Sequence, residues 1–263
     1  MDELVDERVL RWLSQLEARH MADLRVAEVT RALRALSSAY VERRSALARG
    51  AALDSAGKRA AFALFYGPLH FFATCAIVHA LGLRAPRTIV DIGCGTGAAG
   101  AAWAVATGRR ARLSGIDRHP WAVEEARWTY RQLGLDGTAK QGDASRSHLP
   151  RAGFGIVAGY VLNELPDAVR QDAWRTLLSA AQRGSPVLVI EPISRAAAPW
   201  WDTAAAEAAA LGGRTDEWRI PMELPPLLAL LDRSAGLNHR ELKARSLLLP
   251  GDARSARDEG AGA

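Results

Sequence analysis

Two cysteines in 263 residues, Cys75 and Cys94, are too few for a disulfide scaffold or a four-ligand zinc site, so a reducing cytoplasm is the expected compartment. Lysine is almost missing, at 3 residues against 31 arginines; with about 50 alanines this reads as GC-rich coding bias, not function. No signal peptide is expected, because the start Met1-Asp2-Glu3-Leu4-Val5-Asp6-Glu7 is acidic where such a segment is basic. The longest apolar run, Pro68 to Leu83, is short for a bilayer span and carries His70 and His79. It predicts a buried helix and no membrane partner. No histidine or cysteine spacing suits a metal, and none is expected. What remains, 49% hydrophobic and 24% charged residues, is a globular composition.

The net charge of +5 is unevenly spread, at +1 over residues 1–50, +5 over 51–150 and −1 over 151–263. A surplus of that size permits an anionic partner without requiring one, and no run of like charge interleaved with aromatics points to nucleic acid.

The first part of the chain reads as helical. Val5, Val9, Trp12, Leu13 and Leu16 share one face of a helix over 2–19. Val26, Val29, Leu33, Leu36, Tyr40 and Leu47 form a heptad-like seam over 22–48, which Gly50 can end. A hairpin packed on its own domain is preferred for this seam, with dimerisation through it as the alternative. Two further helices are expected over 58–66 and 68–82. From Arg87 strands alternate with helices: strands at 88–92, 111–116, 138–141, 155–161 and 186–190, helices at 97–108, 120–133 and 166–182. Two more helices (199–211 and 222–235) and a last strand (241–249) follow, with a disordered tail over 251–263. This alternation predicts an α/β, three-layer Rossmann-like fold with a mostly parallel sheet, preceded by an N-terminal α-helical domain.

The strongest motif is Val90-Asp91-Ile92-Gly93-Cys94-Gly95-Thr96-Gly97, three alternating glycines directly after a strand and opening a helix. Glycines there let a ligand lie against bare backbone. Asp91 is a poor neighbour for a pyrophosphate and a good one for an ammonium and a sulfonium, the charges of S-adenosylmethionine. The pattern, acidic-x-Gly-x-Gly-x-Gly, resembles motif I of the class I S-adenosylmethionine-dependent methyltransferases. That resemblance implies the methyltransferase fold, S-adenosylmethionine as cofactor, and contacts from Asp91, Gly93, Cys94 and Gly95. Asp117, 24 positions after Gly93, ends the second strand where a carboxylate can accept both ribose hydroxyls, with the adjacent Arg118; capping before His119-Pro120 is its alternative role. In the family the counterpart of Asp143 binds the adenine amino group and that of Ala144 offers backbone contacts. Tyr66 and His70 lie on the segment that lids the cofactor in related enzymes.

Gly159-Tyr160-Val161-Leu162-Asn163-Glu164-Leu165-Pro166 follows the fourth strand, at the mouth expected to face the methyl group. Tyr160 is a candidate to pack on the cofactor, Asn163 to orient the acceptor, and Glu164 to serve as general base, with helix capping as the bland role of the last two. The Asn-Pro-Pro-Tyr and Asp-Pro-Pro-Tyr signatures of base N-methylation are missing. Asn163-Glu164-Leu165-Pro166, with Arg59-Ala60-Ala61-Phe62 and Tyr66-Gly67-Pro68-Leu69, is similar to motifs of the mitochondrial ribosome small-subunit methyltransferase-like family and its bacterial relatives. That family's cysteine-rich metal-binding insert has no counterpart at Glu191-Pro192-Ile193-Ser194-Arg195. Trp200, Trp201 and Trp218 are either pocket lining or, preferably, core.

The expectation is thus an N-terminal helical domain or lid at 1–83 and a cofactor domain at 84–250, transferring methyl to an O, N or C nucleophile of a compact small molecule. RNA methylation or ribosome assembly is the first alternative and a non-catalytic cofactor-binding module the second. Arg109, Arg110 and Arg112 form a local basic cluster, which is expected at the sheet edge opposite the cofactor mouth.

Overall fold

A computed structural model describes residues 6–42, 53–143, 153–194 and 198–251. Ala144, Leu47, Gly50, Arg195 and the tail after Gly251 lie outside the described residues, as does the side chain of Tyr40.

The helix α1 (Glu7–His20) starts on Asp6, whose side chain accepts the N–H groups of Arg8 and Val9. In α2 (Val26–Glu42) the seam residues Val29, Leu33 and Leu36 are fully buried in the chain's own core. The described part of the seam therefore packs within the chain's own core, as the preferred hairpin reading expects. The two helices expected over 58–66 and 68–82 are one continuous helix, α3 (Ala56–Ala80), running through a π turn at Phe62–Tyr66. Pro68 does not interrupt it, because its neighbours supply the single wider turn that precedes it. At 25 residues α3 is long and apolar enough to cross a bilayer, yet 78% of its apolar window is buried inside the protein.

Strands and helices then alternate: β1 (Thr88–Ile92), α4 (Ala98–Ala106), β2 (Arg112–Asp117), α5 (Pro120–Gln132), β3 (Gly137–Gln141), β4 (Phe154–Gly159), α6 (Asp167–Gln182), β5 (Val187–Glu191), α7 (Trp201–Ala210), β6 (Arg214–Pro221), α8 (Pro226–Ala235) and β7 (Glu241–Leu249). They form one seven-stranded sheet in the order β3-β2-β1-β4-β5-β7-β6. β1 to β5 are parallel, and β7 runs antiparallel to both β5 and β6. β5 is buried along its whole length, and its residues alternate between two cores: Leu188 and Ile190 face one, Val187 and Val189 the other.

β6 is the strand that the sequence reading does not contain. Arg-Thr-Asp-Glu-Trp-Arg-Ile-Pro holds only two large apolar residues and carries a proline, as suits an edge strand with one partner. Trp218 fixes it by donating its indole N–H to Ser246 Oγ at 2.8 Å.

The N-terminal helices dock on the sheet helices. Glu125 of α5, fully buried, accepts from Arg19 at 3.2 Å and pairs with His20 at 2.7 Å. Trp12 lies 5.0 Å from the Phe71 ring. Arg109 pairs with Asp6, and Arg112 with Asp136 at 3.1 Å, so two of the three clustered arginines hold acidic partners at the far edge of the sheet.

Candidate functional site

The C-terminal ends of β1, β2, β4 and β5 open into one cavity of about 970 Å³, roofed by α3. That is at the upper end of the roughly 300–1,000 Å³ typical of small-molecule sites. Its lining includes Asp91, Gly93, Cys94, Gly95, Asp117, Arg118, Asp143, Tyr160, Asn163, Glu164 and Tyr66, the described residues among the sequence candidates.

The floor is the glycine loop. Gly93, Gly95 and Gly97 all have positive φ, at 63°, 51° and 78°. A Cβ on Gly93 would stand 2.2 Å from Val161 Cγ2, so this position admits no side chain. Asp117 ties the loop to the next helix: Oδ2 accepts the Gly95 N–H at 2.9 Å and Oδ1 the His119 N–H at 2.8 Å. It lines the cavity, and it braces the turn before the next helix without capping that helix, which starts after His119 with no side-chain cap. Each carboxylate oxygen keeps a second lone pair for a ligand hydroxyl.

Asp91 is 1% exposed. Oδ2 accepts the Gly100 N–H at 2.8 Å, and Oδ1 has no partner among the described residues. Burial, opposed by that hydrogen bond and helped by the charge of Asp117, lifts its carboxyl to about 7. A cation arriving beside Oδ1 would satisfy the orphan and restore the ionised form. Cys94 is buried, and burial raises its thiol well above the ordinary value. Its burial in the loop suits space filling, and a raised thiol is a poor source of thiolate.

The roof is aromatic. The π turn brings both Phe62 and Tyr66 to the cavity. Gly67 lets α3 approach the loop, since a Cβ there would stand 2.9 Å from Thr96 Oγ1. Burial pushes the Tyr66 hydroxyl up to about 12, and its bond to Ser37 opposes this. His70 stacks on Tyr160 with centroids 3.7 Å apart and planes 9° apart. Burial lowers His70 to about 3, so the stack is between neutral rings. Tyr160 holds φ at 59°, an unusual strain for an aromatic residue, and donates its N–H to Ile190 O at 2.7 Å.

At the acceptor end, Leu162–Glu164 forms a 3-10 turn. Neither Asn163 nor Glu164 caps α6, which begins without a side-chain cap. Asn163 Oδ1 instead accepts the Trp200 indole N–H at 2.9 Å. Trp200, Trp201 and Trp218 are not part of the lining; they pack in or against the core, the preferred reading.

Glu191 and His239 are cavity residues that sequence reasoning missed. Glu191 is fully buried; Oε1 accepts the N–H groups of Leu162 at 2.8 Å and Asn163 at 3.2 Å. Its signal was a carboxylate closing an otherwise apolar strand, the same signal Asp91 gives on β1. His239 is held by Asp232, which accepts both its backbone N–H and Nδ1; no local pattern announces it. Among the described residues no group of three or more His, Cys, Asp or Glu is arranged to hold a metal.

Residues 89–184 match the family model described as "Methyltransferase domain". No curated protein sequence matches significantly. Among solved structures, the mitomycin 7-O-methyltransferase MmcR is 18% identical with a TM-score of 0.51, covering 95% of this chain and 74% of its own. A SAM-dependent methyltransferase from Aquifex aeolicus is 14% identical with a TM-score of 0.48, covering 68% and 90%. The N-methyltransferase NodS from Bradyrhizobium japonicum, solved with S-adenosyl-L-homocysteine, is also 14% identical at 0.48, covering 68% and 85%. At 18% identity the likeness to MmcR is one of fold alone.

Proposed function

We propose that this chain, a class I methyltransferase by its methyltransferase domain at residues 89–184 and by its sheet order, carries the methyl group of S-adenosylmethionine to a compact small-molecule acceptor. The observation that carries the reading is Asp91: a buried carboxylate with one free oxygen, at the glycine loop, in a cavity of about 970 Å³. A cationic ligand relieves that orphan, whereas a pyrophosphate would add repulsion.

When bound, the cofactor supplies a methyl already activated on a sulfonium. The chain's own residues then have three tasks. Asp91 would hold the ammonium, Asp117 and Arg118 the ribose region, and Asp143 with Ala144 the adenine. The bare backbone of Gly93 and Gly95 lets the ligand lie close. Tyr66 and the His70–Tyr160 stack exclude water above it, with the N-terminal segment 1–83 as lid over the 84–250 domain. Asn163 and Glu164 face the acceptor. In-line displacement needs alignment more than a fixed triad. The volume supports a cofactor and a compact acceptor together, and the ion-paired Arg109 and Arg112 at the opposite sheet edge favour a small molecule over RNA.

The test is transfer of labelled methyl from S-adenosylmethionine to small molecules, protein and ribosomal RNA offered separately. Label in small molecules is expected. Label in RNA or protein alone overturns the acceptor class. No label anywhere from a protein that binds the cofactor favours the non-catalytic module.

A further inference from the structure

Two buried polar atoms at the foot of the cavity have no partner among the described residues: Glu191 Oε2 and Asn163 Nδ2. Both side chains are held in place. Glu191 Oε1 accepts the backbone N–H groups of Leu162 and Asn163, the latter at 3.2 Å, which sets the two residues side by side. The Trp200 indole N–H can only donate, so it fixes the Asn163 amide with Oδ1 toward it and leaves Nδ2 over. Neighbouring residues of the cavity lining thus hold a buried acceptor and a buried donor, neither of which has a partner among the described residues.

We propose that Glu191 and Asn163 together seat a hydroxyl group of the acceptor, so that the nucleophile is an oxygen and the product a methyl ether or ester. The inference rests on the methyl-transfer reading above and names its substrate class. A hydroxyl has one hydrogen and two lone pairs. The hydrogen donates to Glu191 Oε2, one lone pair accepts from Asn163 Nδ2, and the other attacks the methyl carbon. A neutral amine has a single lone pair; once it accepts from Nδ2 none is left to attack. A carbon nucleophile satisfies neither atom. As the new O–C bond forms, the C–S bond breaks and its electron pair stays on sulfur as a thioether. The hydroxyl proton passes to Oε2, so the sulfonium and carboxylate charges vanish together.

Burial lifts the Glu191 carboxyl to about 8, the charge of Glu164 adding to this and Arg245 opposing it. Burial, with the charge of Glu191 adding to it, raises the Tyr160 hydroxyl well above its ordinary value, so it stays protonated. The base form of Glu191 therefore grows as pH rises through about 8, and a sulfonium in the same cavity draws that value down.

The test uses the full chain with labelled S-adenosylmethionine and matched probe pairs differing only in the nucleophile, phenols against anilines of the same skeleton, on wild type, Glu191→Gln and Asn163→Ser. Glu191→Gln keeps an oxygen for the Leu162 and Asn163 N–H groups. Label should enter phenols and not anilines. Glu191→Gln should lower kcat at least about 100-fold, bind cofactor within about 2-fold of wild type by calorimetry, and lose the rise of kcat/KM toward pH 8. Asn163→Ser should raise KM for phenols. Transfer to anilines, or a Glu191→Gln enzyme with unchanged rate and pH profile, overturns the proposal. So does a wild type that binds cofactor yet labels no phenol. A wild type that binds no cofactor instead defeats the methyltransferase reading beneath it.

Discussion

Asp91→Asn should move stability and ligand binding in opposite directions. The amide keeps an oxygen for the Gly100 N–H, now at 2.8 Å, and removes only the charge and the free Oδ1. Burial raises the carboxyl from 3.8 to about 7, which at pH 8 disfavours the ionised folded protein by about 4 kcal/mol. The amide avoids that cost, so above pH 7 the ligand-free variant should melt at or above the wild-type temperature. Cofactor binding should weaken. An ammonium about 4 Å from a carboxylate gains about 4 kcal/mol at an effective dielectric of 20. Desolvation of the ammonium takes part of this back, leaving about 2–3 kcal/mol, or a Kd roughly 30- to 150-fold higher. Calorimetry in buffers of unlike ionisation heat adds a second readout. The wild type should release a proton on binding near pH 6 and almost none above pH 8, and the variant should show no such change from this site. A variant that binds S-adenosylmethionine within about threefold of wild type, with the same proton release, would refute the reasoning.

Gly93→Ala should abolish cofactor binding and cost at least about 2 kcal/mol of stability in denaturant titration, since it combines a left-handed φ with a Cβ 2.2 Å from Val161. The ligand-free protein should lose stability as pH rises from 6 to 9. Asp91 and Glu191 have folded values of about 7 and 8, above the ordinary carboxylate range, so their contribution is complete below about 4 and is lost through 7–8; Tm across pH checks it. His20→Ala leaves the fully buried Glu125 with Arg19 alone and should cost about 1–3 kcal/mol, read in a thermal melt at pH 6, by loosening α1 from α5.

The site was most legible where a residue type has one physical use. Three alternating glycines after an apolar strand mark the turn, and Asp91 and Asp117 stand out because carboxylates rarely end buried strands. β1 and β7 were readable to the residue, since apolar runs bounded by turn signals leave little freedom. β6 was not, because an edge strand with alternating charged residues has the composition of a loop, and only its pairing with β7 makes it a strand. The π turn in α3 was invisible for a different reason: one wider turn leaves the apolar content unchanged and alters only which side chains reach the cavity. Glu191 and His239 become site residues only through long-range packing, Glu191 by the turn after β4 folding onto it and His239 by the Asp232 carboxylate holding it.

The central claim is that this cavity is built for a phosphate-free cationic cofactor. Calorimetric titration of the wild-type chain with S-adenosylmethionine and, separately, with NAD tests it most directly. The account predicts one-to-one binding of S-adenosylmethionine that tightens between pH 6 and 8, and no measurable heat from NAD. Tight binding of NAD, or of neither ligand, would contradict it.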